Sequence, residues 1–491
     1  MSSHAQTPEQ APTYLFGRLD RHDLLLGLRA SQLVMVGIGA AAILVGFLAG
    51  GEGGGVLGFA VAAVTGFVAV FPVQGRCLVD WARPLANHAL RRVTGRGVYL
   101  GGPIALHRSR FAPRLDLPGM ARDLRVFEID TPRGGVALLK LREKWTVVLP
   151  VSSPNYVLAD RASQERRVAS WGALLAQCGQ EGSRVAGLQW LERTIPDTGR
   201  SLQEWWQQAG DRDAAFAHSY RRLIEQAGPA ATRHECYLAV SFDARRLRRL
   251  VRQAGGGPEG AAKVALAEID WISQALRRAD LEVAGALSPE KLARLVRTQY
   301  DHAAAVLETH GIGPWRQPAI ASGPMAAVAE WSRYRTDGDL HAVYWIAEWP
   351  SVPVEAAWCY PLLALSGVRR TVSVSAAPIP PSKSLRELRG QRVAKRADEA
   401  QRRRLGQIET AQDTEEVAGL ERREHELVRG HTEYRFTGWI TVSATTADQL
   451  DAACALVEQS AVRSALVLRR VYGEVDQAFN RAALPLNEGV R

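Results

Sequence analysis

Lysine is scarce in this chain. Of 61 basic residues in 491, six are lysine: Lys140, Lys144, Lys263, Lys291, Lys383 and Lys395. A Walker A loop needs Gly-Lys-Ser/Thr after a glycine-rich turn, so that backbone N–H groups and the lysine cradle phosphates. Only Lys383 precedes a Ser or Thr, and Pro380 and Pro381 just upstream offer no N–H. The chain therefore lacks a P-loop. Gly255-Gly256-Gly257 runs into Pro258 and reads as a loop before a helix. Cysteine is also sparse. Cys77, Cys178, Cys236, Cys359 and Cys454 are scattered, which excludes a Cys-x-x-Cys redox or metal site and a disulfide framework. The eleven histidines form no His-Glu-x-x-His, and His302 and His310 lie eight apart, off zinc-ligand spacing. No Gly-x-Ser-x-Gly elbow occurs. Asp130, Glu348 and Asp476 read as solvated or capping carboxylates. No catalytic, cofactor-binding or metal-ligating residue is assigned, and the chain is expected not to be an enzyme.

Charge is missing locally. Ala30 to Gly51 and Gly53 to Gly75 carry none, and only Glu52 separates them. About 20 apolar residues cross a ~30 Å hydrocarbon core. Leu33, Val34, Val36, Ile38, Ile43, Leu44, Val45, Phe47 and Leu48 together favour insertion of the first run by about 3–5 kcal/mol. Two transmembrane helices are expected within 30–75, joined by a loop at Gly50-Gly51-Glu52-Gly53-Gly54-Gly55. Ala42, Gly46 and Gly50, and Gly58, Ala62 and Gly66, recur at the spacing that lets helices approach closely. Arg18, Arg21 and Arg29 precede the first run, and Arg76, Arg83, Arg91, Arg92 and Arg96 follow the second. The positive-inside rule puts both termini in the cytoplasm, with the bulk of the chain cytosolic. The net charge of +10 fits a basic surface facing anionic lipid. Nucleic acid is not an expected partner, since no helix-turn-helix, zinc finger or basic-aromatic RNA signature occurs.

Downstream, the pattern predicts an α+β protein. Segment 1–29 is a cytosolic lead, and 76–120 a juxtamembrane helix (Leu78–Arg92) and linker. A first α+β domain spans 121–335. Its strands are expected at 124–130, 136–141, 145–151, 184–191, 236–242 and 281–287, and its helices at 162–177, 202–227, 261–278 and 288–298. Ser288-Pro289-Glu290 has the form of an N-cap. A second domain, 336–486, runs strand (340–349), short helix (361–366), strand (368–375), insertion, strand (434–444), helix (446–462), strand (465–472). That is the order of a ferredoxin-like split β-α-β unit. The tail is 487–491. Within the insertion, Lys383–Arg404 has nine basic and three acidic residues, and Leu405–Gly430 seven acidic and three basic. This sign reversal predicts a helical hairpin over 383–430, used for protein contact.

The chain end carries Arg469-Arg470-Val471-Tyr472-Gly473-Glu474-Val475-Asp476-Gln477-Ala478-Phe479, then Leu484-Pro485-Leu486. It resembles the end of the amino-terminal, non-motor domain of VirB-type secretion ATPases, with Glu474 in place of the usual Gln and no motor domain after it. The front, Thr13-Tyr14-Leu15-Phe16-Gly17 followed by Leu26-Gly27-Leu28-Arg29 and two apolar runs, is similar to actinobacterial membrane proteins of conjugation loci. Its two-helix start is like PrgI-type subunits. The resemblance implies a PrgI-type anchor fused to a motor-less ATPase-like domain. It makes Tyr472, Gly473, Ala478, Phe479, Leu484, Pro485 and Leu486 interaction residues. The function implied is a non-catalytic inner-membrane structural subunit of a type IV secretion or conjugation-like apparatus. Its expected partners are the membrane, a separate secretion ATPase, other machine subunits and further copies of itself. The alternatives are a type VII secretion core membrane subunit, against which the Tyr472–Leu486 ending argues, and a membrane-tethered enzyme.

Overall fold

A computed structural model describes residues 14, 16, 30–73, 76–101, 115, 117–153, 156–196, 206–208, 214–227, 232–304, 323–404 and 411–490. Ala30–Val70 is one apolar helical stretch, long enough to cross a membrane and almost wholly exposed. Gly51, at φ 56°, breaks it. The arms then fold back on each other. A Cβ on Gly58 would stand 2.6 Å from the Ala42 carbonyl oxygen, and one on Gly39 2.7 Å from Thr65 Oγ1. Phe47 meets Phe59 edge-on, with 6.3 Å between ring centroids. At the open end, Gln32 Nε2 donates to the Ala69 carbonyl at 2.9 Å. The loop expected over 50–55 is narrower than the sequence suggests. Residues 52–55 stay helical, because glycine tolerates a helix and only one positive φ is needed to reverse the chain. The hairpin closes on two short strands, β1 (Pro72–Val73) and β2 (Arg76–Cys77), and a helix follows at Leu78–Val93.

The rest is built on one antiparallel sheet of 13 strands. In chain order these are β3 (Val98–Leu100), β4 (Arg125–Thr131), β5 (Gly134–Leu141), β6 (Lys144–Ser152), β7 (Val185–Pro196), β8 (Thr232–Asp243), β9 (Glu282–Val283), β10 (Ala326–Ala329), β11 (Tyr334–Thr336), β12 (Asp339–Glu348), β13 (Arg369–Ile379), β14 (Glu433–Ala444) and β15 (Val467–Arg470). Their spatial order is β3-β10-β11-β12-β14-β13-β7-β8-β6-β5-β4, with β15 beside β12 and β9 beside β6.

That order contains the same arrangement twice. One unit runs β9-β6-β8-β7 across the sheet and the other β15-β12-β14-β13. Each is entered through a meander, β4-β5-β6 or β10-β11-β12, and each runs strand, helix, strand, strand, helix, strand along the chain. In both, the first strand pairs at one end with the meander (Lys144–Thr146, Asp339–His341) and at the other with the unit's last strand (Val151–Ser152, Tyr344–Glu348). The units join where β7 pairs with β13, Leu191 opposite Ser373. The division expected at residue 335 falls inside the second meander.

Alternation along the strands gives the sheet two apolar faces. On one, Val147, Leu149, Leu238, Val240 and Phe242 pack under helices Arg161–Cys178 and Gly257–Arg278, while Tyr344, Ile346, Ile440 and Val442 pack under helix Ala447–Arg463. On the other, Leu139, Val148, Ala239 and Val343 meet helices Pro289–Tyr300 and Val475–Ala483. Asp160, Ser288 and Thr446 accept the first free N–H groups of three of these helices, the Ser288 cap falling where the sequence puts it. Two helices, Pro381–Arg404 and Ala411–Val428, form the inserted hairpin. Leu388 and Leu427 are buried at its base, and Arg392 pairs with Glu424 between the basic and acidic arms. Of the helix expected over 202–227, the described residues show Ala217–Ala227 and a turn at 206–208. The linker expected to 120 begins with β3, which pairs with β10.

Candidate functional site: the junction between hairpin and sheet

Two groups of residues that are far apart in sequence meet at one place. The helix Leu78–Val93 starts against the open end of the apolar hairpin. Ser31 Oγ donates to Asp80 Oδ1 at 3.0 Å, Gln32 Nε2 to Cys77 Sγ at 3.3 Å, and Trp81 Nε1 to the Val73 carbonyl at 3.3 Å. Trp81, Pro84, His88 and Arg91 recur at the spacing of one helix face. That face lies on the chain end. Trp81 packs on Trp331, in the β10–β11 turn, and on Tyr472, with ring centroids 5.9 and 5.5 Å apart. Trp331 and Tyr472 close the triangle at 6.1 Å, and His88 meets Trp331 at 5.3 Å.

Gly473 makes this approach possible. Its φ is +74°, its N–H donates to the Trp331 carbonyl at 2.7 Å, and a Cβ there would stand 2.8 Å from the Trp331 ring and 3.1 Å from the Pro84 carbonyl oxygen. Asn87 Nδ2 then donates to Glu474 Oε1 at 2.9 Å. Arg91 grips Asp476 with both terminal nitrogens, at 2.8 and 2.6 Å. The hydrogen bond to Asp476 raises the Arg91 pKa against the opposing effect of burial, so this guanidinium is fixed in its charged form.

From Asp476 the contacts lead into the core. Asn480, one turn on, accepts from Tyr300 OH at 3.1 Å and donates to the Pro118 carbonyl at 3.0 Å. Phe479 packs on Tyr300, Tyr334 and His341 at 5.1, 5.3 and 4.6 Å. Burial pushes the Tyr334 hydroxyl well above its ordinary pKa, with Asp476 adding to it. Beyond the helix, the Leu484 carbonyl accepts from Gln189 Nε2, on β7 at the join of the two units, at 3.0 Å. The arrangement is mechanical. It ties the base of the hairpin, through one helix and one ion pair, to the middle of the sheet.

The sequence-predicted residues divide accordingly. Tyr472 and Gly473 line the junction. Ala478, Phe479, Leu484, Pro485 and Leu486 are buried in the chain's own core, where they have no surface to offer a partner. Of the basic flank, Arg91 serves the junction and is half-buried, whereas Arg83, Arg92 and Arg96 are exposed. Arg18, Arg21, Arg29 and the Arg76 side chain lie outside the described residues. Asp130 is exposed on β4, at the far edge of the sheet from β3, and Asp476 is held by Arg91. Among the described residues no three His, Cys, Asp or Glu side chains cluster as a metal site. Sequence reasoning did not single out Trp81, Trp331 or Asn87. The one available signal was Trp81-Pro84-His88-Arg91 recurring at the spacing of one face of the helix.

The fold and junction thus define a class: a sheet of two topologically equivalent units carried behind an apolar helical hairpin. Residues 230–346 match the family described as "Putative type VII ESX secretion system translocon, EccE". That span runs from β8 through β12, across the passage from one unit to the next. It gives no support to the PrgI-type and VirB-type resemblance. A search of curated proteins found no match.

Proposed function

We propose that this chain is a membrane subunit of a type VII ESX secretion translocon, and that its role is structural rather than catalytic. The observation that carries the reading is the EccE match over 230–346. It favours the type VII alternative over the type IV assignment that the chain end suggested. The Tyr472–Leu486 ending does not weigh against it, because those residues are accounted for by core packing and by the junction. In this reading the two arms of Ala30–Val70 are two spans of ~20 residues, each matching a ~30 Å hydrocarbon core. The two ferredoxin-like units lie on the cytoplasmic side. The charged hairpin 381–430 reaches towards other translocon subunits, an ATPase among them.

The test is purification of the tagged full-length chain from its own membranes in mild detergent. Co-purification of type VII translocon subunits in constant ratio is the expected result. Recovery of the chain alone, or with a conjugation-type ATPase, refutes the proposal.

A further inference from the structure

The helix Leu78–Val93 has a second face that the sheet does not use. Opposite Trp81, Pro84, His88 and Arg91 stand Ala82, Leu85, Ala86, Ala89, Leu90 and Val93, all exposed. Leu85 is 52%, Leu90 61% and Val93 87% accessible. After the turn 94–97, β3 exposes Val98 and Leu100 and turns Tyr99 towards the core. Arg83, Arg92 and Arg96 are exposed on the same short stretch. A helix that spends one face on its own domain and leaves an apolar face in water is unfavourable unless something covers that face.

The geometry points to the bilayer surface as the cover. We assign residues 78–100 as an interfacial segment whose apolar face enters the headgroup–acyl boundary, with Arg83, Arg92 and Arg96 binding anionic phospholipid headgroups. Three arguments favour lipid over a protein or a second copy. First, Ser31–Asp80, Gln32–Cys77 and Trp81–Val73 fasten the first turn to the end of the apolar hairpin, so the helix begins where that hairpin leaves the membrane. Second, small and aliphatic residues on one face with arginines beside them are the pattern of an in-plane amphipathic helix. Third, arginine stems extend along apolar surface and deliver the charge to headgroup level. The consequence is orientation. The Trp81–Trp331–Tyr472 and Arg91–Asp476 contacts fix the opposite face of this helix to the sheet, so a helix lying in the interface sets the sheet's angle to the membrane.

The inference rests on the anchored reading above, and the test separates the two. The full-length chain is placed in nanodiscs, with an environment-sensitive fluorescent amino acid at Leu90, Val93, Phe59 or Val393. Phe59 reports the hairpin, and Val393, 68% accessible on the charged insertion, is the water control. Lipids carrying a doxyl group near the headgroup, or in mid-chain for Phe59, quench from the membrane side, and iodide from the water side. Labels at Leu90 and Val93 are expected to be quenched by the shallow lipid at least threefold more than at Val393, and by iodide at least threefold less. Anionic phosphatidylglycerol discs should strengthen the lipid quenching relative to phosphatidylcholine discs. The triple variant Arg83→Gln, Arg92→Gln, Arg96→Gln should abolish that difference. Iodide quenching equal to Val393 overturns the assignment, as does protection from both quenchers, which is what a protein partner or second copy produces. If Phe59 is quenched by mid-chain lipid in that case, the anchor stands and the interfacial helix falls. If Phe59 is not quenched, both fall.

Discussion

Replacing Asp476 by alanine removes both acceptors of the Arg91 guanidinium. The side chains of Arg91 and Asp476 are 20% and 8% accessible, so the pair is neither fully buried nor on the surface. Removing one partner of a fully buried pair costs about 3–5 kcal/mol. Arg91 retains an opening to solvent, and Asp476→Ala should cost the junction about 2 kcal/mol. Arg91→Ala strands the deeper group and should cost about 3 kcal/mol. The double variant should also cost about 3 kcal/mol rather than the sum of about 5, because neither charge is then left alone. The coupling energy is therefore about 2 kcal/mol. The measurement is hydrogen exchange of the backbone amides of 78–93 in the full-length chain in detergent, which reads local release of the helix. Asp476→Ala should lower protection roughly thirtyfold and Arg91→Ala roughly a hundredfold, at ~1.4 kcal/mol per tenfold. The coupling should survive 0.5 M salt, because a half-buried pair is poorly screened. Protection within twofold of the parent chain in both single variants would refute the reasoning, as would strictly additive costs.

Three further outcomes follow from the same geometry. Gly473→Ala places a Cβ 2.8 Å from Trp331 at a φ of +74°, and should loosen the same helix by about 2 kcal/mol, read by the same exchange experiment. Gly58→Leu drives a side chain into the Ala42 backbone and should separate the hairpin arms; disulfide trapping between cysteines placed at positions 39 and 62 should fall at least tenfold when Gly58→Leu is added. His341 is buried between Thr336 Oγ1 at 2.6 Å and Ser443 Oγ at 2.8 Å, and burial holds its pKa down at about 3. The unfolded chain takes up that proton near pH 6.5, so stability is complete above 6.5 and falls as pH drops towards 3, by at most about 1.4 kcal/mol per unit. His341→Gln should flatten urea-unfolding stability between pH 6.5 and 4.5, and an unchanged slope counts against His341 as its source.

Most elements longer than six residues were legible because their signals are local. Leu340–Trp349 and Tyr434–Ala444 carry alternating or continuous β-branched and aromatic runs, and Ser288-Pro289-Glu290 is a cap with its own chemistry. The short strands Ala326–Ala329 and Tyr334–Thr336 have too few residues to show a period. They are strands because β12 and β3 supply partners. The helix Val475–Ala483 was visible only as a motif. It is buried on the sheet through Phe479 and Asn480, so Ala478 and Phe479 serve core packing. At the junction, the arginines were legible as a group but their division was not. Charge counting treats Arg91 and Arg92 alike. One helical step of 100° sends the first to Asp476 and the second to the surface.

The duplication sharpens the question of what makes one end of the sheet the end that receives the apolar hairpin. The two units have the same strand order, so topology alone gives the hairpin no preference. The difference lies in two short connections. Between β10 and β11 stands Trp331, whereas the equivalent turn between β4 and β5 carries Pro132 and Arg133. After β15 come Tyr472, Gly473 and Asp476, whereas β9 is followed by Gly285, Ala286 and the Ser288 cap. An aromatic turn, a left-handed glycine and one carboxylate thus receive Trp81, Pro84 and Arg91. Docking then lets β3 add to β10, so that edge is completed by the segment that leaves the hairpin. The opposite edge, β4, pairs only with β5 among the described residues, and exposes Arg125, Glu128 and Asp130 along its length. Charges spaced along a free edge discourage another strand from joining it. One end of a nearly symmetric sheet is therefore built to accept the apolar hairpin, and the other to refuse an equivalent partner.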